Sequence, residues 1–507
     1  MPVIADTNKA TYPAPASEWD FASIGKLSDA LRSGNISASD LLEHTISRIE
    51  ALDQRLNAIV VRDFDRARES AKAADAALAR GERRPLLGIP VTLKEPFNLA
   101  GLPTTWGYPQ FKDFMPMEDA LVVSRLKEAG AVIIGKTNIP VGLRDFQSYN
   151  EIYGMTNNPW DVGRSPGGSA GGSAASLAAG FEALSVGSDI GGSIRVPAHF
   201  CGIYGHKPTL SLVPLRGYNL PPAPPVPGQG DLAVAGPMAR HASDLAVALD
   251  VIAGPDEKRE GIGYRLVLPP PRHDNLKNFR VLVIDTHPLM PTGNAVRSAI
   301  GRLAQRLERL GVNVGQTSAS LPDLATSARL YMKLLNAATS PRVSSDAFTQ
   351  AQRLANSLSP DDHSLQAERA RSTVMSHREW LASDAARLQL QQQWRAFFRE
   401  WDVVIYPAAA IPAFPHDHSE PIEARHLDID GNAYPYYDVC FIWADPASTC
   451  GLPATAAPID RSSAGLPIGV QIIGPYLEDR TTIAFAKLLE REFGGFVPPR
   501  LTAANGL

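Results

Sequence analysis

The chain has 507 residues, of which 44% are hydrophobic and 20% are charged. This is the composition of a folded globular protein, and the length fits one large α/β domain or two to four ordinary ones. The formal net charge is −4, so no overall basic field points to a nucleic acid partner.

The first 22 residues contain no basic segment followed by an apolar one, so we expect a loose N-terminal arm (1–22) and no signal peptide. No apolar run reaches the length of about 18 residues that would indicate a membrane span. Three cysteines are too few and too scattered for a disulfide framework, although Cys440 and Cys450 are candidates for neighbours in the fold. Together these features favour a cytoplasmic protein.

Helices and strands are predicted to alternate in the first half of the chain. Ser37 and Asp40 have the spacing of a helix N-cap, and an apolar face at helical spacing follows them. The further predicted elements are an Ala-rich helix at about 63–80, a buried strand from Leu86 to Leu93 that ends at Lys94, a helix at 119–130, a strand at 131–134, a helix from about Ser173, and a short strand before Ser188.

The second half continues this alternation. The predicted elements are strands at 280–284, 312–314, 403–407 and 467–475, a helix at 294–310, and a mostly helical segment at 322–400. Such alternation predicts an α/β fold, with a large sheet flanked by helices on both faces. The proline-rich loop near 213–231 and the helical segment near 322–400 are the expected additions to one domain over 23–507.

Residues 164–176 read RSPGGSAGGSAAS, which is compatible with a flexible linker, a phosphate-binding loop or a catalytic serine. Gly167–Gly171 matches the G-x-S-x-G pattern of a nucleophile elbow. That elbow requires a buried strand just before it, and the preceding NNPWDVGRSP is not strand-like. Ser169 is therefore a weak candidate for the nucleophile but remains a candidate for another catalytic role.

Gly130–Thr137 matches the letters of a Walker A motif, G-x-x-x-x-G-K-T. A phosphate-binding loop needs its middle residues as open N–H donors, whereas AVII (131–134) is predicted to be a strand. Only Gly135 and the residues after it are expected to form a loop. A nucleotide-binding ATPase is thus the disfavoured alternative from a different functional class.

A second glycine turn, Ser188-Asp189-Ile190-Gly191-Gly192-Ser193, follows an apolar segment. Successive N–H groups around paired glycines can point into one concavity, as an oxyanion hole requires. None of the 11 histidines lies in a triad signature that would activate the serine of this turn. Lys94 is the best-placed base, provided that burial lowers its pKa from the ordinary value of about 10.4.

Five stretches carry a family resemblance: LLGIPVTLKEPFN, GAVIIGKTNIP, YGMTNNPWDVGRSPGGSAGGSAAS, SVGSDIGGSIRVPAHFCGIYGHKPT and GPMAR. Together they resemble the amidase signature hydrolases over most of the chain. The resemblance implies the large mixed β-sheet of that fold and a Ser–cis-Ser–Lys triad. It assigns the nucleophile to Ser193, the bridging serine after a cis peptide bond to Ser169, and the base to Lys94.

The resemblance also implies an oxyanion hole formed by the backbone N–H groups of Ile190, Gly191, Gly192 and Ser193. Asp189 and Arg195 are expected to brace this turn or to pair with each other. The chain departs from the family pattern at three positions, where it has Ala170 beside the bridging serine, Glu95 after the lysine, and His206 before Lys-Pro.

The implied reaction is hydrolysis of an amide C–N bond through an acyl-enzyme, without a metal or an organic cofactor. Aryl or alkyl amides, anilides and carbamates are the expected substrates. The alternatives are an A-type subunit of a glutamyl-tRNA amidotransferase and a non-catalytic binding protein. The expected partners are a small-molecule substrate and a second copy in a homodimer, with no nucleic acid and no membrane.

Other residues have open interpretations. His416 and His418 could be metal ligands or solvated loop residues, and Cys201 is predicted to be part of the core. Three aromatic residues could line a pocket or pack in the core: Trp106, Tyr149 and Trp160. Two further residues, Phe146 and Gln147, could contact the substrate.

Overall fold

The structure is a computed structural model, and it describes residues 17–228 and 230–501. Within these two ranges the helices are α1 (Ile24–Ser33), α2 (Ala38–Leu56), α3 (Phe64–Ala79), α4 (Leu121–Glu128), α5 (Gly171–Ala178), α6 (Arg195–Cys201), α7 (Ala242–Ile252), α8 (Asn294–Arg309), α9 (Leu324–Thr339), α10 (Ser345–Ser357), α11 (Leu365–Thr373), α12 (His377–Glu400), α13 (Tyr436–Phe441) and α14 (Asp479–Phe493). Short 3-10 turns join several of them.

The strands of the same ranges are β1 (Ile59–Arg62), β2 (Pro90–Lys94), β3 (Val132–Thr137), β4 (Tyr149–Asn150), β5 (Gly154–Met155), β6 (Leu184–Asp189), β7 (Tyr204–Lys207), β8 (Val234–Ala239), β9 (Arg280–Val283), β10 (Asn313–Gly315), β11 (Val403–Pro407), β12 (His426–Ile429), β13 (Asn432–Pro435), β14 (Ala454–Arg461) and β15 (Pro467–Ile473). Eleven of them form one sheet in the order β1-β3-β2-β6-β8-β7-β14-β15-β11-β9-β10.

This sheet is mixed. Strand β2 runs parallel to both of its neighbours, β3 and β6, whereas β6 is antiparallel to β8. Every residue of β2, β3, β6, β11 and β15 is buried, so the sheet is covered on both faces. The predicted α/β fold, with a large mixed sheet between helices, is confirmed.

The two largest errors in the predicted boundaries both involve glycine. The strand expected from Leu86 begins only at Pro90, because Gly88 has φ of 81° and therefore cannot continue an extended chain. Conversely, the strand expected to end at Ile134 continues through Gly135 to Thr137. Gly135 sits at an irregularity in the pairing of β3 with β2, where the strand bends without ending.

Residues 1–16 of the N-terminal arm that was predicted at 1–22 lie outside the described residues. Residues 17–22 pack against the rest of the chain. The buried carboxylate of Asp20 accepts a hydrogen bond from Arg48 Nη1 at 2.8 Å and also contacts the imidazole of His44.

The segment predicted to be helical at 322–400 contains α9, α10, α11 and α12. We call these four helices and their connections the helical segment. It is inserted between strands β10 and β11, and its helices pack on one another. Among the described residues, no helix combines the length and the apolar character that would let it cross a membrane.

Candidate active site

Lys94 is the last residue of β2, and its side chain is fully buried. Its Nζ donates hydrogen bonds to Ser169 Oγ at 2.7 Å and to Ser188 Oγ at 2.9 Å. Burial lowers the pKa of Lys94 to about 7, although the charge of Asp189 opposes this and that of Arg342 assists it. A large fraction of Lys94 is therefore uncharged at neutral pH and can accept a proton.

Ser169 lies just before the first turn of α5 and is completely buried. The peptide bond between Gly168 and Ser169 is cis, as the resemblance implies. No side chain fits at position 168, because a Cβ there would lie 2.2 Å from the carbonyl oxygen of Asp145. This crowding makes glycine a requirement beside Ser169.

Ser193 and Ser169 line the same cavity, which has a volume of about 590 Å³. Ser193 is 7% exposed, and its carbonyl oxygen accepts a hydrogen bond from the N–H of Ala170 at 3.2 Å. This backbone bond holds the two serine segments side by side. Over residues 17–228 and 230–501, no hydrogen bond joins the hydroxyl of Ser193 to another group.

The turn from Ile190 to Ser193 is held by Asp189. The Asp189 carboxylate accepts hydrogen bonds from the backbone N–H of Gly192 at 2.9 Å and of Ile194 at 3.0 Å. The N–H of Gly192, which is one of the four predicted oxyanion donors, is therefore directed at this carboxylate. Among the described contacts, the N–H groups of Ile190, Gly191 and Ser193 have no acceptor and are the remaining donors.

Asp189 and Arg195 form a buried ion pair, with Arg195 Nη2 2.9 Å from Asp189 Oδ1. Burial raises the pKa of the Asp189 carboxyl, but the charge and hydrogen bonds of Arg195 outweigh this and hold the pKa below its ordinary value. Arg195 Nη1 also donates to Gln471 Oε1 at 2.7 Å. The pair therefore ties the turn to strand β15, so both of the expected roles, bracing and pairing, occur together.

Ser188 and Tyr218 belong to the site but were not predicted. Ser188 Oγ lies 2.7 Å from Tyr218 Oη in addition to its contact with Lys94. Both residues line the cavity. Ser188 stands in the motif SDIGGS, but its contact with Lys94 depends on the pairing of β2 with β6, which the sequence alone does not reveal.

The helical segment forms much of the outer wall of the cavity. Tyr331 on α9 donates a hydrogen bond from its hydroxyl to the carbonyl oxygen of Ile190 at 3.2 Å. Further along the segment, the lining residues include Met332, Leu335, Asn336, Thr339, Arg342 and Arg369. The proline-rich loop near 213–231 contributes Tyr218 to this lining.

None of the five residues considered for the pocket lines the cavity directly. Trp106 packs on Tyr218 with ring centroids 5.0 Å apart, and Phe146 packs on Phe441 at 4.9 Å, so each supports a lining residue. Gln147 Nε2 donates a hydrogen bond to the carbonyl oxygen of Asp417, and the N–H of Asp417 donates one to Gln147 Oε1. Gln147 therefore holds the loop at Asp417. Tyr149 stacks on the ring of His418. Trp160 donates a hydrogen bond from its ring N–H to the carbonyl oxygen of Cys201.

The cysteines and the histidine pair play no visible part in the site. Cys201 is buried, as predicted, and Cys440 and Cys450 are buried free thiols. Over residues 17–228 and 230–501, no cluster of three or more His, Cys, Asp or Glu could hold a metal ion, and His416 and His418 belong to none.

The Walker-like stretch contains no open loop. Gly135 and Lys136 pair with residues of β1 and β2, so their backbone is committed to the sheet. Lys136 is fully buried and donates to Thr104 Oγ1 at 2.8 Å and to the carbonyl oxygen of Pro103. This arrangement leaves no nest of N–H donors for a phosphate.

The chain is similar to known proteins over most of its length. The family model described as Amidase matches residues 40–483. The A subunit of glutamyl-tRNA(Gln) amidotransferase from Anaeromyxobacter sp. (strain K) is 32% identical over 92% of this chain and 94% of its own. The indoleacetamide hydrolase of Bradyrhizobium diazoefficiens is 33% identical over 93% of this chain and 87% of its own.

The solved structures include a chain from a study of the evolutionary origins of an s-triazine catabolic enzyme. It superposes with a TM-score of 0.77 at 30% identity, and the alignment covers 94% of this chain and 100% of that one. The family match spans the motifs that carry Lys94, Ser169 and Ser193, and the fold is shared over nearly the whole length. The chain belongs to the amidase signature family of hydrolases that act on amides.

Proposed function

We propose that this protein is a serine hydrolase that cleaves the C–N bond of small-molecule amides, with Ser193 as nucleophile, Ser169 as proton relay and Lys94 as base. The observation that carries the proposal is the hydrogen bond of 2.7 Å between Lys94 Nζ and Ser169 Oγ. It joins a buried amine with a pKa of about 7 to a serine that shares its cavity with Ser193.

The first step is attack of Ser193 Oγ on the substrate carbonyl carbon. The proton of Ser193 moves to Ser169, and Ser169 gives its own proton to Lys94 Nζ. The carbonyl oxygen becomes an oxyanion that accepts hydrogen bonds from the N–H groups of Ile190, Gly191 and Ser193. The hydrogen bond from Ala170 to Ser193 supports this path, because it keeps the two serines adjacent.

The second step breaks the C–N bond. The proton held by Lys94 returns through Ser169 to the leaving nitrogen, so that an amine departs and an ester of Ser193 remains. Water then attacks this acyl-enzyme by the same relay and releases the carboxylic acid.

A cavity of about 590 Å³ has room for an aryl or alkyl amide, an anilide or a carbamate. A carbamate presents the same carbonyl and the same kind of leaving amine, so the proposed machinery accepts both classes. The likeness to an indoleacetamide hydrolase supports a small amide substrate with an aromatic part.

The second candidate function is that of an A-type amidotransferase subunit, which the relative of 32% identity favours. Hydrolysis of a p-nitroanilide or an aryl carbamate by the isolated chain distinguishes the two. A free-standing enzyme turns these substrates over alone, whereas a subunit that depends on partners does not.

The direct test is labelling with a serine-directed fluorophosphonate, followed by peptide mapping. We expect the label on Ser193, with Ser193→Ala unlabelled. Ser169→Ala should retain the nucleophile but label more slowly, because its relay is missing. Label on Ser169, or on no serine, would contradict the assignment of roles.

The pH dependence of turnover should report the buried lysine. Because Lys94 must be neutral to accept a proton and its pKa is about 7, kcat/KM should fall about tenfold per pH unit well below that value. The measurement is kcat/KM for a neutral p-nitroanilide from pH 5 to pH 9. A profile that is flat over this interval would contradict a lysine base.

A further inference from the structure

Arg342 is a half-buried cation in the cavity wall. It ends the 3-10 turn Ser340–Arg342, which follows α9 in the helical segment. Its guanidinium carbon lies over the ring of Trp106, 4.8 Å from the ring centroid, which is a cation–π contact.

The aromatic platform under Arg342 is itself held in place. Trp106 is 1% exposed, and its backbone N–H donates to Glu95 Oε2 at 3.0 Å. Glu95 Oε1 accepts a second hydrogen bond from the N–H of Thr105. Trp106 also packs on Tyr218, which contacts Ser188 beside Lys94. Arg342 is therefore positioned by a chain of contacts that starts beside the catalytic lysine.

The hydrogen-bond donors of Arg342 have no acceptor among the described residues. Arg369 and Asp438, which line the same cavity, pair with each other, and Asp189 pairs with Arg195 behind the turn. Over residues 17–228 and 230–501, Arg342 has neither a hydrogen bond nor an ion pair. A cation with five N–H donors thus borders the substrate cavity without an acceptor.

We propose that Arg342 binds a carboxylate of the substrate, and that the enzyme prefers amides bearing such a group. This inference rests on the proposed amide hydrolysis. A planar guanidinium matches the two oxygens of a carboxylate, and the N–H groups of Arg342 have no acceptor among the described residues, so they are available for that contact. Arg342 lines the same cavity as Ser169 and Ser193, so a carboxylate bound to Arg342 shares that cavity with the proposed reacting groups.

The test compares matched substrates that differ only in the carboxylate. The acyl-side series is the mono-p-nitroanilides of succinic, glutaric and adipic acid against the p-nitroanilides of butyric, valeric and hexanoic acid. The amine-side pair is an acylated 4-aminobenzoate against the same acyl anilide. We expect kcat/KM to be about tenfold to a hundredfold higher for the acid in at least one pair, mainly through KM.

Arg342→Gln should abolish this preference, and Arg342→Lys should keep part of it, since a lysine retains the charge but not the planar fork. Assays at pH 9 keep Lys94 neutral in every variant. The ratio of kcat/KM for the acid to kcat/KM for its neutral partner removes any effect of the substitution on Lys94 that both substrates share. The matched control is Arg353→Gln, which removes an exposed arginine of α10 that does not line the cavity. Arg353→Gln should leave the ratio of kcat/KM for acid and neutral substrates within about threefold of the wild-type value.

Two results would overturn the inference. One is a wild-type enzyme that shows no preference for the acid in any pair, and the other is an Arg342→Gln variant that keeps the wild-type ratio of kcat/KM for acid and neutral substrates. If Arg342→Gln does not fold, the Arg342→Lys variant and the inhibition of the wild type replace it. Glutarate should then inhibit the wild type more strongly than the neutral valeramide, and equal inhibition would contradict the inference. Failure of the proposed function looks different, because then even the neutral anilides are not hydrolysed and no serine is labelled.

Discussion

Replacement of Ser193 by alanine should lower kcat for a neutral p-nitroanilide by at least about 10⁴-fold. The hydroxyl of Ser193 is the atom that forms the acyl-enzyme in the proposed reaction, and no other residue of the site can substitute for it there. The backbone N–H of residue 193 remains, so the residual rate reports what the oxyanion donors and substrate binding achieve alone. Single-turnover and steady-state release of p-nitroaniline measure the effect.

Ser124→Ala is the matched control for this change. Ser124 lies on α4 and does not line the cavity, so its loss should leave kcat within about twofold. Equal melting temperatures for the two variants would show that folding is not the cause of any difference. A Ser193→Ala protein that keeps a tenth of its activity would exclude Ser193 as the nucleophile.

Lys94→Met should reduce kcat by about 10²-fold to 10⁴-fold near pH 8, which is the range that a positioned general base contributes. Methionine is close to lysine in length and suits a buried site, but it cannot accept the proton from Ser169. Substrate binding should be largely retained, because the change removes an interaction needed in the transition state. The measurement is kcat and KM for a p-nitroanilide, together with the binding of an unreactive amide.

The chain supplies a closely matched control in Lys136. It is equally buried, it lies opposite Leu93 in the pairing of β2 with β3, and burial lowers its pKa to about 8. Lys136 contacts Thr104 and Pro103 but does not line the cavity. Lys136→Met should therefore keep kcat within about tenfold once activity is normalised to folded protein. Equal losses for the two variants would mean that any buried lysine here matters only for folding.

The local sequence pattern was enough to predict features that depend only on neighbouring residues. The apolar run before Lys94 indicated a buried strand, and the strand does place this amine in the interior. The predicted start of that strand was wrong, because the effect of Gly88 depends on the backbone angle that this residue adopts. The same limit applies at Gly135, which reads as a loop residue but continues β3.

Contacts that depend on strand pairing, side-chain direction or tertiary packing could not be predicted in this way. The role of Ser188 follows from strand pairing, and the use of the Gly192 N–H by Asp189 follows from the side-chain direction within a tight turn. The placement of Arg342 on Trp106 joins residues that are far apart in sequence, and no periodicity marks it. The helical segment was predicted as helix, but its position over the cavity depends on tertiary packing.

The insertion of the helical segment between two sheet strands places the proposed catalytic residues and much of the cavity wall in different parts of the chain. Lys94, Ser169 and Ser193 lie within the first 200 residues, whereas many of the residues that line the cavity come from α9, α10 and α11. If the proposed roles hold, selectivity can diverge through exchange of this single insert while the proposed proton relay stays intact. A chimaera that keeps the sheet and carries another insert would inherit its reaction from one parent and its range of substrates from the other.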